Sequence, residues 1–218
     1  MKSAPAQISD EELMRLLQAG ETSHFEELVD RYSRPLLAYI QRMVGGSGGD
    51  AEDLLQEVFV RVFRAVQSFD IDRKFQSWIY AIASNLCRDH LRAAGRRPRT
   101  LDGGLELALE SGDSRFARAL RSQSKDPGDQ AADAELVQEL YASIAELPLT
   151  QREVFLLFHF QGVAQSDIAA SLKVPVGTVK SRLFHAYKKV FSSMQEKNKS
   201  WQSKVNILLL LTYLFASI

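Results

Sequence analysis

The stretch VPVGTVKSRL, residues Val174 to Leu183, decides the fold of the second half of this 218-residue chain. Within and after it, apolar residues recur every three or four positions, which predicts a helix with one buried face. Those residues are Val176, Val179, Leu183, Ala186 and Val190. Small and cationic groups occupy the opposite face and suit the phosphates and base edges of a DNA major groove. The stretch therefore indicates the turn and recognition helix of a helix-turn-helix.

Two further helices are predicted immediately upstream. Thr150 to Glu153 (TQRE), after Pro148, has the pattern of a capping box and opens a strongly apolar helix. SDIAASL predicts a second, short helix, with Ser166 as its N-cap. The order is helix, helix, turn, recognition helix. A helical bundle whose basic face is merely solvated is the alternative interpretation.

The distribution of charge, rather than the net charge, indicates what the chain binds. Lys plus Arg equals Asp plus Glu at 27 each, so the net charge is zero. The segment 88–99 nevertheless holds five arginines against one acid, whereas the segment 50–57 holds four acids and no base. This segregation predicts separate surfaces for unlike partners.

The residues with catalytic or metal-binding potential form no recognisable constellation. Cys87 is the single cysteine, so we expect no intrachain disulfide, a core or half-buried thiol, and a reducing compartment. The histidines lack metal-ligand spacing, and the sequence has neither a Gly-rich phosphate loop nor a nucleophile elbow. We therefore expect no catalytic residue, no metal and no cofactor.

The first half of the chain also has helical patterns. Ser9 to Glu12 is a second capping-box pattern. The segment 25–44 predicts a pair of amphipathic helices interrupted near Pro35, and AEDLLQEVFVRVFRAV (51–66) predicts a helix with a broad buried stripe that includes Phe63. A polar loop bounded by aromatics, SFDIDRKF, precedes another helix that begins at Phe75.

The composition changes between about residues 96 and 133, where Gly, Ser and Asp replace apolar periodicity and predict a linker. The fold class expected is all-α: two small helical domains joined by a flexible linker, the second a helix-turn-helix. We assign residues 1–97 to the first domain, 98–133 to the linker, 134–192 to the second domain and 193–218 to a cationic segment with an apolar tail.

Two motifs in this order resemble the extracytoplasmic-function sigma factors of bacterial RNA polymerase. They are AEDLLQEVF with a downstream FQSWIYAIASN, and then SDIAASLKVPVGTVKSRL. The resemblance covers most of 25–97 and 134–190. It implies a non-catalytic subunit that directs core polymerase to specific promoters and assists their melting, with core RNA polymerase, promoter DNA and an anti-sigma factor as partners.

The resemblance also implies roles for individual residues. The first domain would bind the polymerase clamp and open the minus-ten element, and the second would read the minus-thirty-five element. The implied polymerase-binding residues are Glu52, Asp53, Gln56 and Glu57. The implied minus-ten residues are Phe69, Asp70, Asp72, Arg73, Lys74 and Phe75 in a base-capturing loop, with Asn85, Arg88 and Arg92 on the next helix. The implied minus-thirty-five residues are Thr178, Lys180, Ser181, Arg182, His185, Lys188 and Lys189.

The chain departs from the family pattern at several positions. Ala81 and Ser84 stand where the family usually has arginines, and so do His185 and Tyr187 in the recognition helix. Lys173 replaces the usual turn glycine, which costs about 1 kcal/mol if its φ is positive. These departures predict a weaker phosphate-binding face and an altered sequence preference.

Two other functions compete with this interpretation. A repressor or activator with a ligand-binding or dimerising first domain would have a helix-turn-helix, but it has no need of an acidic helix beside an aromatic loop. A helical hydrolase would need an acid and base constellation, which the sequence does not offer.

The tail, residues 205–218 (VNILLLLTYLFASI), carries no charge. As a helix it would reach about 21 Å, short of a hydrocarbon core of about 30 Å, so a full membrane span is strained. Three interpretations stay open: packing on the second domain or an anti-sigma partner, a shallow membrane anchor, or a non-native extension. The N-terminus lacks a secretory pattern, so we expect a cytoplasmic protein. If the tail binds the membrane, the protein would be cytoplasmic and membrane-associated through residues 205–218.

Overall fold

The computed structural model describes residues 8–45, 49–93, 95 and 138–197, with the backbone alone described at 196 and 197. The described regular structure is helical, as the sequence predicts, and has no strands. The predicted linker at 98–133 and the apolar tail at 205–218 lie outside the described residues. We number the α-helices in chain order: α1 Asp10–Gln18, α2 Phe25–Val44, α3 Gly49–Ala65, α4 Phe75–Ala93, α5 138–145, α6 Leu149–His159, α7 Gln165–Leu172 and α8 Val176–Lys197.

The first group of helices, α1 to α4, packs around one apolar core. The predicted cap of α1 is confirmed, because the Ser9 hydroxyl accepts a hydrogen bond from the Glu12 N–H at 3.2 Å. The prediction that Pro35 interrupts the next segment is wrong: α2 is one continuous helix. Proline removes one N–H from the helix ladder. Burial of Leu36 and Tyr39 just after it offsets that loss.

The apolar stripe of α3 is narrower than the sequence suggests. Ala51, Leu54, Val58 and Val62 are buried against the other helices, as an amphipathic helix requires. Phe63 was expected in the same stripe but is 50% exposed. It lies at the edge of the stripe, where its ring packs edge-on against a single aromatic, Phe25, at 5.2 Å between centroids.

The second group, α5 to α8, contains the predicted helix-turn-helix, but two of its predicted caps are wrong. Helix α6 begins at Leu149 after Pro148, so Thr150 lies inside the helix and makes no capping box with Glu153. Helix α7 begins at Gln165 with Ala164 in the capping position, where no side chain caps the helix. Proline is pre-set for the start of a helix, which explains the earlier beginning of α6.

The turn of the helix-turn-helix lies between α7 and α8. Lys173 has a φ of 54°, so the condition under which replacing the turn glycine carries a cost is met. A non-glycine residue there carries the steric cost of its Cβ. Val176, expected on the buried face, is 42% exposed because it starts the first turn of α8, whereas Val179 and Leu183 are buried.

The two groups of helices pack against each other, with α2 and α4 of the first facing α6 and α7 of the second. Arg152 of α6 is fully buried and donates to the Ile144 carbonyl at 3.2 Å and, across the boundary, to the Met43 carbonyl at 3.1 Å. Burial lowers the pKa of Arg152 to about 10. The guanidinium therefore stays charged near neutral pH and satisfies backbone acceptors from both groups.

Candidate functional site

The acidic residues expected to bind polymerase lie together on α3. Glu52, Asp53 and Gln56 are exposed, and Glu57 is half-buried. The Glu57 carboxylate accepts from Arg61 Nε at 2.8 Å, one turn further along the helix. Because the buried stripe of α3 runs along the other side, these groups form a polar edge that is open to a partner.

Two exposed apolar side chains that the sequence reasoning missed belong to the same helix. Val60 is 40% exposed and Phe63 is 50% exposed. Val60 follows Gln56 by four residues, so the two are neighbours along one side of the helix. We call Glu52, Asp53, Gln56, Glu57, Val60 and Phe63 the α3 face. It combines acids with apolar area, as interfaces between proteins do.

The loop between α3 and α4 is fixed by its two aromatic ends. Phe69 and Phe75 are buried, with centroids 5.9 Å apart, and the Trp78 ring lies 4.9 Å from that of Phe69. These rings thus form part of the core. The exposed members of the loop are the polar ones, Asp70, Asp72, Arg73 and Lys74.

Helix α1 holds this loop in place through two residues that the sequence did not single out. Gln18 Nε2 donates to the Val66 carbonyl at 2.9 Å and to the Phe69 carbonyl at 2.8 Å. Glu11 accepts a hydrogen bond from the Phe75 N–H at 3.0 Å. Their polar side chains on a surface helix gave no signal of this contact, because the loop is far away in sequence.

The loop is also braced internally. The Asp70 side chain accepts from the Asp72 N–H at 3.1 Å, and the Asp70 carbonyl accepts from the Arg73 N–H at 3.0 Å. Such an Asx-type turn fixes the backbone while leaving the side chains of Arg73 and Lys74 exposed. The loop is therefore a preorganised polar rim above an aromatic base.

On α4, the three residues expected near the minus-ten duplex share one side of the helix. Asn85 and Arg92 are exposed, and Arg88 is half-buried. Arg88 donates to Asn85 Oδ1, and its Nη1 lies 3.4 Å from Glu153 Oε2 of α6. Arg92 donates to Asp89 at 2.9 Å. Of this set, Arg88 is thus tied to the second group of helices.

The Glu153 carboxylate is a buried acid at the boundary of the two groups. The residue is 0% exposed, and burial raises the pKa of its carboxyl, against the opposing effects of Arg88, Ser84 and Arg182. Its raised pKa reflects the cost of holding a charge away from water. The sequence assigned this residue to a helix cap, so its position here is a new observation.

The exposed face of the recognition helix α8 carries the expected cations. Lys180, Ser181, His185, Lys188 and Lys189 are exposed, whereas Thr178 and Arg182 are half-buried. Phe184 was missed by the sequence reasoning. It is 58% exposed, and its ring packs edge-on against His185 at 5.6 Å. It shares the helix face of Lys180 and Ser181, four and three residues before it.

Tyr187, one of the expected departures from the family pattern, is a core residue. It is buried, and its hydroxyl lies 2.5 Å from Nε2 of His159 on α6. Burial lowers the pKa of His159 to about 3, so the ring is neutral at physiological pH. The pair therefore joins α6 to α8 by a neutral hydrogen bond beneath the exposed face of α8.

Comparisons with known proteins match this arrangement. The family model of sigma-70 region 2 matches residues 28–97, and that of sigma-70 region 4 matches residues 137–190. A structure of CnrH in complex with the cytosolic domain of CnrY has a TM-score of 0.60 and 26% identity, covering 87% of this chain and 99% of that one. A structure of the sigma factor RpoE with the anti-sigma factor NepR from Bartonella quintana, with a TM-score of 0.55 and 19% identity over 78% of this chain and 96% of that one, shares the fold. The helices and the two matched regions define a two-region protein of the sigma-70 type.

Sequence relatives place it more narrowly. The ECF RNA polymerase sigma-E factor of Escherichia coli K12 is 34% identical over 189 residues, which are 87% of this chain and 96% of the relative. The RNA polymerase sigma-H factor of Pseudomonas aeruginosa PAO1 is 34% identical over 190 residues, 87% and 95% of the two chains. The chain belongs to the extracytoplasmic-function RNA polymerase sigma factors. Its function is to direct core RNA polymerase to promoters when transcription begins.

Proposed function

We propose that this sigma factor uses three separate surfaces: the α3 face for core polymerase, the 69–75 loop with α4 for the minus-ten element, and the exposed side of α8 for the minus-thirty-five element. The observation that carries the proposal is the separation of charge in the folded chain. Acids gather on α3 and cations on α8, which favours a protein partner for the first and a nucleic acid for the second.

The α3 face suits a protein rather than DNA. Glu52 and Asp53 would repel phosphates, and the exposed Phe63 and Val60 offer apolar area that gains from burial. We assign Glu52, Asp53, Gln56 and Glu57 to polymerase binding and add these two apolar side chains as the centre of the contact. Buried aromatic side chains often carry much of the energy of an interface.

The 69–75 loop suits capture of an unstacked base by its rim. Phe69 and Phe75 are buried, so we assign them the positioning of the loop and assign contact with the base to Asp70, Asp72, Arg73 and Lys74. Polar groups on a fixed backbone can recognise the edge of a base by hydrogen bonds. Asn85, Arg88 and Arg92 would then lie along the adjoining duplex.

The exposed side of α8 suits a major groove. Thr178, Lys180, Ser181, Arg182 and His185 lie on the first turns of the helix, which is where a recognition helix reaches base edges. Lys188 and Lys189 follow about one turn further on, where we assign them to phosphates. Phe184, the exposed ring beside them, adds apolar area of the kind that contacts a thymine methyl.

We further propose that the chain acts by positioning alone, without catalysis, and that it does so in the cytoplasm. We also propose that an anti-sigma factor controls it. The solved relative CnrH, 26% identical, forms a complex with the cytosolic domain of CnrY. No helix within the described part of the chain is long and apolar enough to cross a membrane. We propose that the tail at 205–218 binds a partner or anionic lipid. Cell fractionation of the full chain and of a chain ending at Lys199 tests this proposal. Equal solubility of the two chains would contradict it.

Transcription in vitro tests the main proposal. The full chain is added to sigma-free core polymerase with genomic promoter fragments, and specific starts are mapped. We expect starts that depend on the added chain and share a minus-ten and a minus-thirty-five element. Specific repression of a start made by another sigma factor, with no new start, would instead support the repressor interpretation.

A further inference from the structure

Helix α1 contacts both ends of the loop between α3 and α4. At the first end, the side-chain amide of Gln18 donates both of its hydrogens, one to the Val66 carbonyl at 2.9 Å and one to the Phe69 carbonyl at 2.8 Å. At the second end, Glu11 accepts from the Phe75 N–H at 3.0 Å. Glu11 and Gln18 are seven residues apart, which is about two turns, so both side chains lie on the same side of α1. One helix therefore sets the positions of both loop ends.

Two of the backbone groups that α1 bonds stand where regular helical bonding stops. Phe69 follows a short 3-10 turn and has extended backbone, with a φ of −70° and a ψ of 129°. Phe75 is the first residue of α4, and the N–H groups in the first turn of a helix have no acceptor within that helix. The Glu11 carboxylate also lies at the positive end of the α4 dipole, which favours its charge. Loss of either side chain would free one end of the loop.

Helix α1 is itself fixed to α2 and to the core. Both oxygens of the Asp10 carboxylate are used, because Oδ1 accepts from Arg31 Nη1 at 2.6 Å and Oδ2 accepts from the Tyr32 hydroxyl at 2.5 Å. Leu13 and Leu17 on the same helix are buried. Charge-assisted bonds and buried side chains leave α1 little freedom to move. The loop therefore takes its position from the core of the first group of helices, through α1.

The exposed polar side chains of the loop lie between these two fixed ends. They are Asp70, Asp72, Arg73 and Lys74. A site whose polar groups are held in place rejects a wrong base, because that base leaves some of the groups unpaired. A rim with free ends can shift to satisfy several bases, so its affinities for them become more alike. Fixed ends therefore bear on which base is preferred, and not only on whether a base is bound.

We propose that Glu11 and Gln18 are positioning residues for the minus-ten element. By fixing the two ends of the loop, they set how strictly its rim distinguishes bases, without contacting DNA themselves. The proposal rests on the proposed role of the 69–75 loop in capturing a base. Both residues lie before residue 28, where the match to sigma-70 region 2 begins. Minus-ten selectivity in this chain thus depends on a helix outside the matched region.

Competition between two promoters measures this selectivity. Holoenzyme made from the full chain and core polymerase receives two fragments that differ at one minus-ten base, and the ratio of the two transcripts is read from one tube. Gln18→Met keeps the length of the side chain and removes its donors, and Glu11→Ala removes the acceptor. We expect each change to lower the preference for the better base about threefold to tenfold, the factor that one hydrogen bond is worth. Because both transcripts come from the same holoenzyme, a smaller folded fraction cancels out of the ratio.

A conservative variant and two matched controls accompany these changes. Glu11→Gln should keep most of the parent preference, since its amide oxygen can still accept from the Phe75 N–H. The controls are Glu12→Ala, which removes a carboxylate that pairs within α1, and Gln41→Met, at a half-buried glutamine of α2. Both should keep the parent preference. If Gln18→Met and Glu11→Ala keep it as well, or if Glu11→Gln loses as much as Glu11→Ala, the proposal is overturned.

A variant of the rim separates this proposal from the role of the loop itself. Asp72→Ala with Arg73→Ala removes two exposed rim side chains and leaves both α1 residues in place. A shift of preference in the rim variant and in the α1 variants supports the proposal. If only the rim variant shifts it, the loop reads the base and the positioning role alone is wrong. If neither set shifts it, the loop does not read the minus-ten element, and both proposals fail.

Discussion

Lys188 gives a prediction at the scale of one residue. Its side chain is exposed on α8 beyond the turns that we assign to base edges. A phosphate contact carries no sequence information, so Lys188→Ala should weaken binding to all minus-thirty-five duplexes alike and reduce the salt slope by about one. Arg15→Ala, an exposed cation on α1, is the control. A change in sequence preference would show that Lys188 reads bases.

His159 gives a prediction about pH. Its folded-state pKa of about 3 lies below the usual value of 6.5, so the unfolded chain binds the proton more readily between these values. The contribution of His159 to the free energy of unfolding is complete above pH 6.5. It is lost as the pH falls, because protonation then favours the unfolded chain. Urea unfolding of the full chain should show a loss of up to about 2 kcal/mol from this group between pH 6.5 and 5.

The non-titrating variant His159→Gln isolates that effect, because its amide can still bond the Tyr187 hydroxyl. Other groups titrate in both chains, so the comparison is the difference in slope between them. We expect the variant to lose less stability on acidification. Equal slopes would mean that folding does not lower the pKa of His159.

Individual residues also show where sequence reasoning succeeds and where it fails. Cys87 was expected to be a core or half-buried thiol and is 0% exposed. Lys173 was identified in place of the usual turn glycine, and its φ of 54° is left-handed. By contrast, nothing in the sequence marks Arg152 or Glu153 as buried, since charged residues on a helix usually face solvent. Their partners are backbone and side-chain groups distant in sequence, and no local pattern records such contacts.

At the scale of one element, the α3 face predicts a loss of polymerase binding on charge reversal. Asp53→Lys with Glu57→Lys should weaken core binding about tenfold or more, because interfacial charges are arranged to complement the partner. The matched control is Glu26→Lys with Asp30→Lys, two exposed acids on α2. Titration of labelled core polymerase measures both variants. Equal affinity of the charge-reversed and control chains would exclude this face as the polymerase contact.

The 69–75 loop predicts a transfer of specificity. Replacing only 70–74 by the corresponding residues of a relative, while keeping Phe69 and Phe75 as buried anchors, should change which minus-ten bases support promoter opening. The anchors and the bonds from Gln18 preserve the loop's position. A screen of promoter variants reads the preference. Retention of the original preference would place minus-ten recognition outside the loop.

Helix positions were mostly predictable from apolar spacing, whereas their ends and edges were not. The pattern located the recognition helix, and α8 is found there. Helix α2 continues through Pro35 because burial on either side outweighs one lost hydrogen bond. The predicted cap of α6 was wrong because the helix begins at Leu149, directly after Pro148, so the TQRE motif lies inside the helix. Phe63 was misplaced because an apolar residue at the margin of a stripe can face either way.

At the scale of the whole molecule, the reactivity of the Cys87 thiol reports whether the two groups of helices are in contact. The thiol is buried on α4, and burial raises its pKa, with the neighbouring Glu153 carboxylate adding to that effect. Gln76 and Tyr80 on this side of α4 hydrogen-bond Gln161 of the second group, so separating the two groups would remove Glu153 and expose this side of α4. The Tyr80→Phe, Gln161→Ala chain should therefore react several-fold faster with a thiol reagent than the parent chain, at equal pH. Identical rates would place the thiol's protection within the first group of helices alone.

The polar bonds between the two groups of helices have a consequence for how the groups part. They are made by amides, a phenol, a guanidinium and a carboxylate, namely Gln76, Tyr80, Arg88, Glu153 and Gln161. When the two groups part, water can take over each of these bonds. A contact made of apolar side chains would hold the two groups more tightly, but it would risk irreversible aggregation whenever they separate. These bonds therefore favour a reversible separation of the two groups of helices.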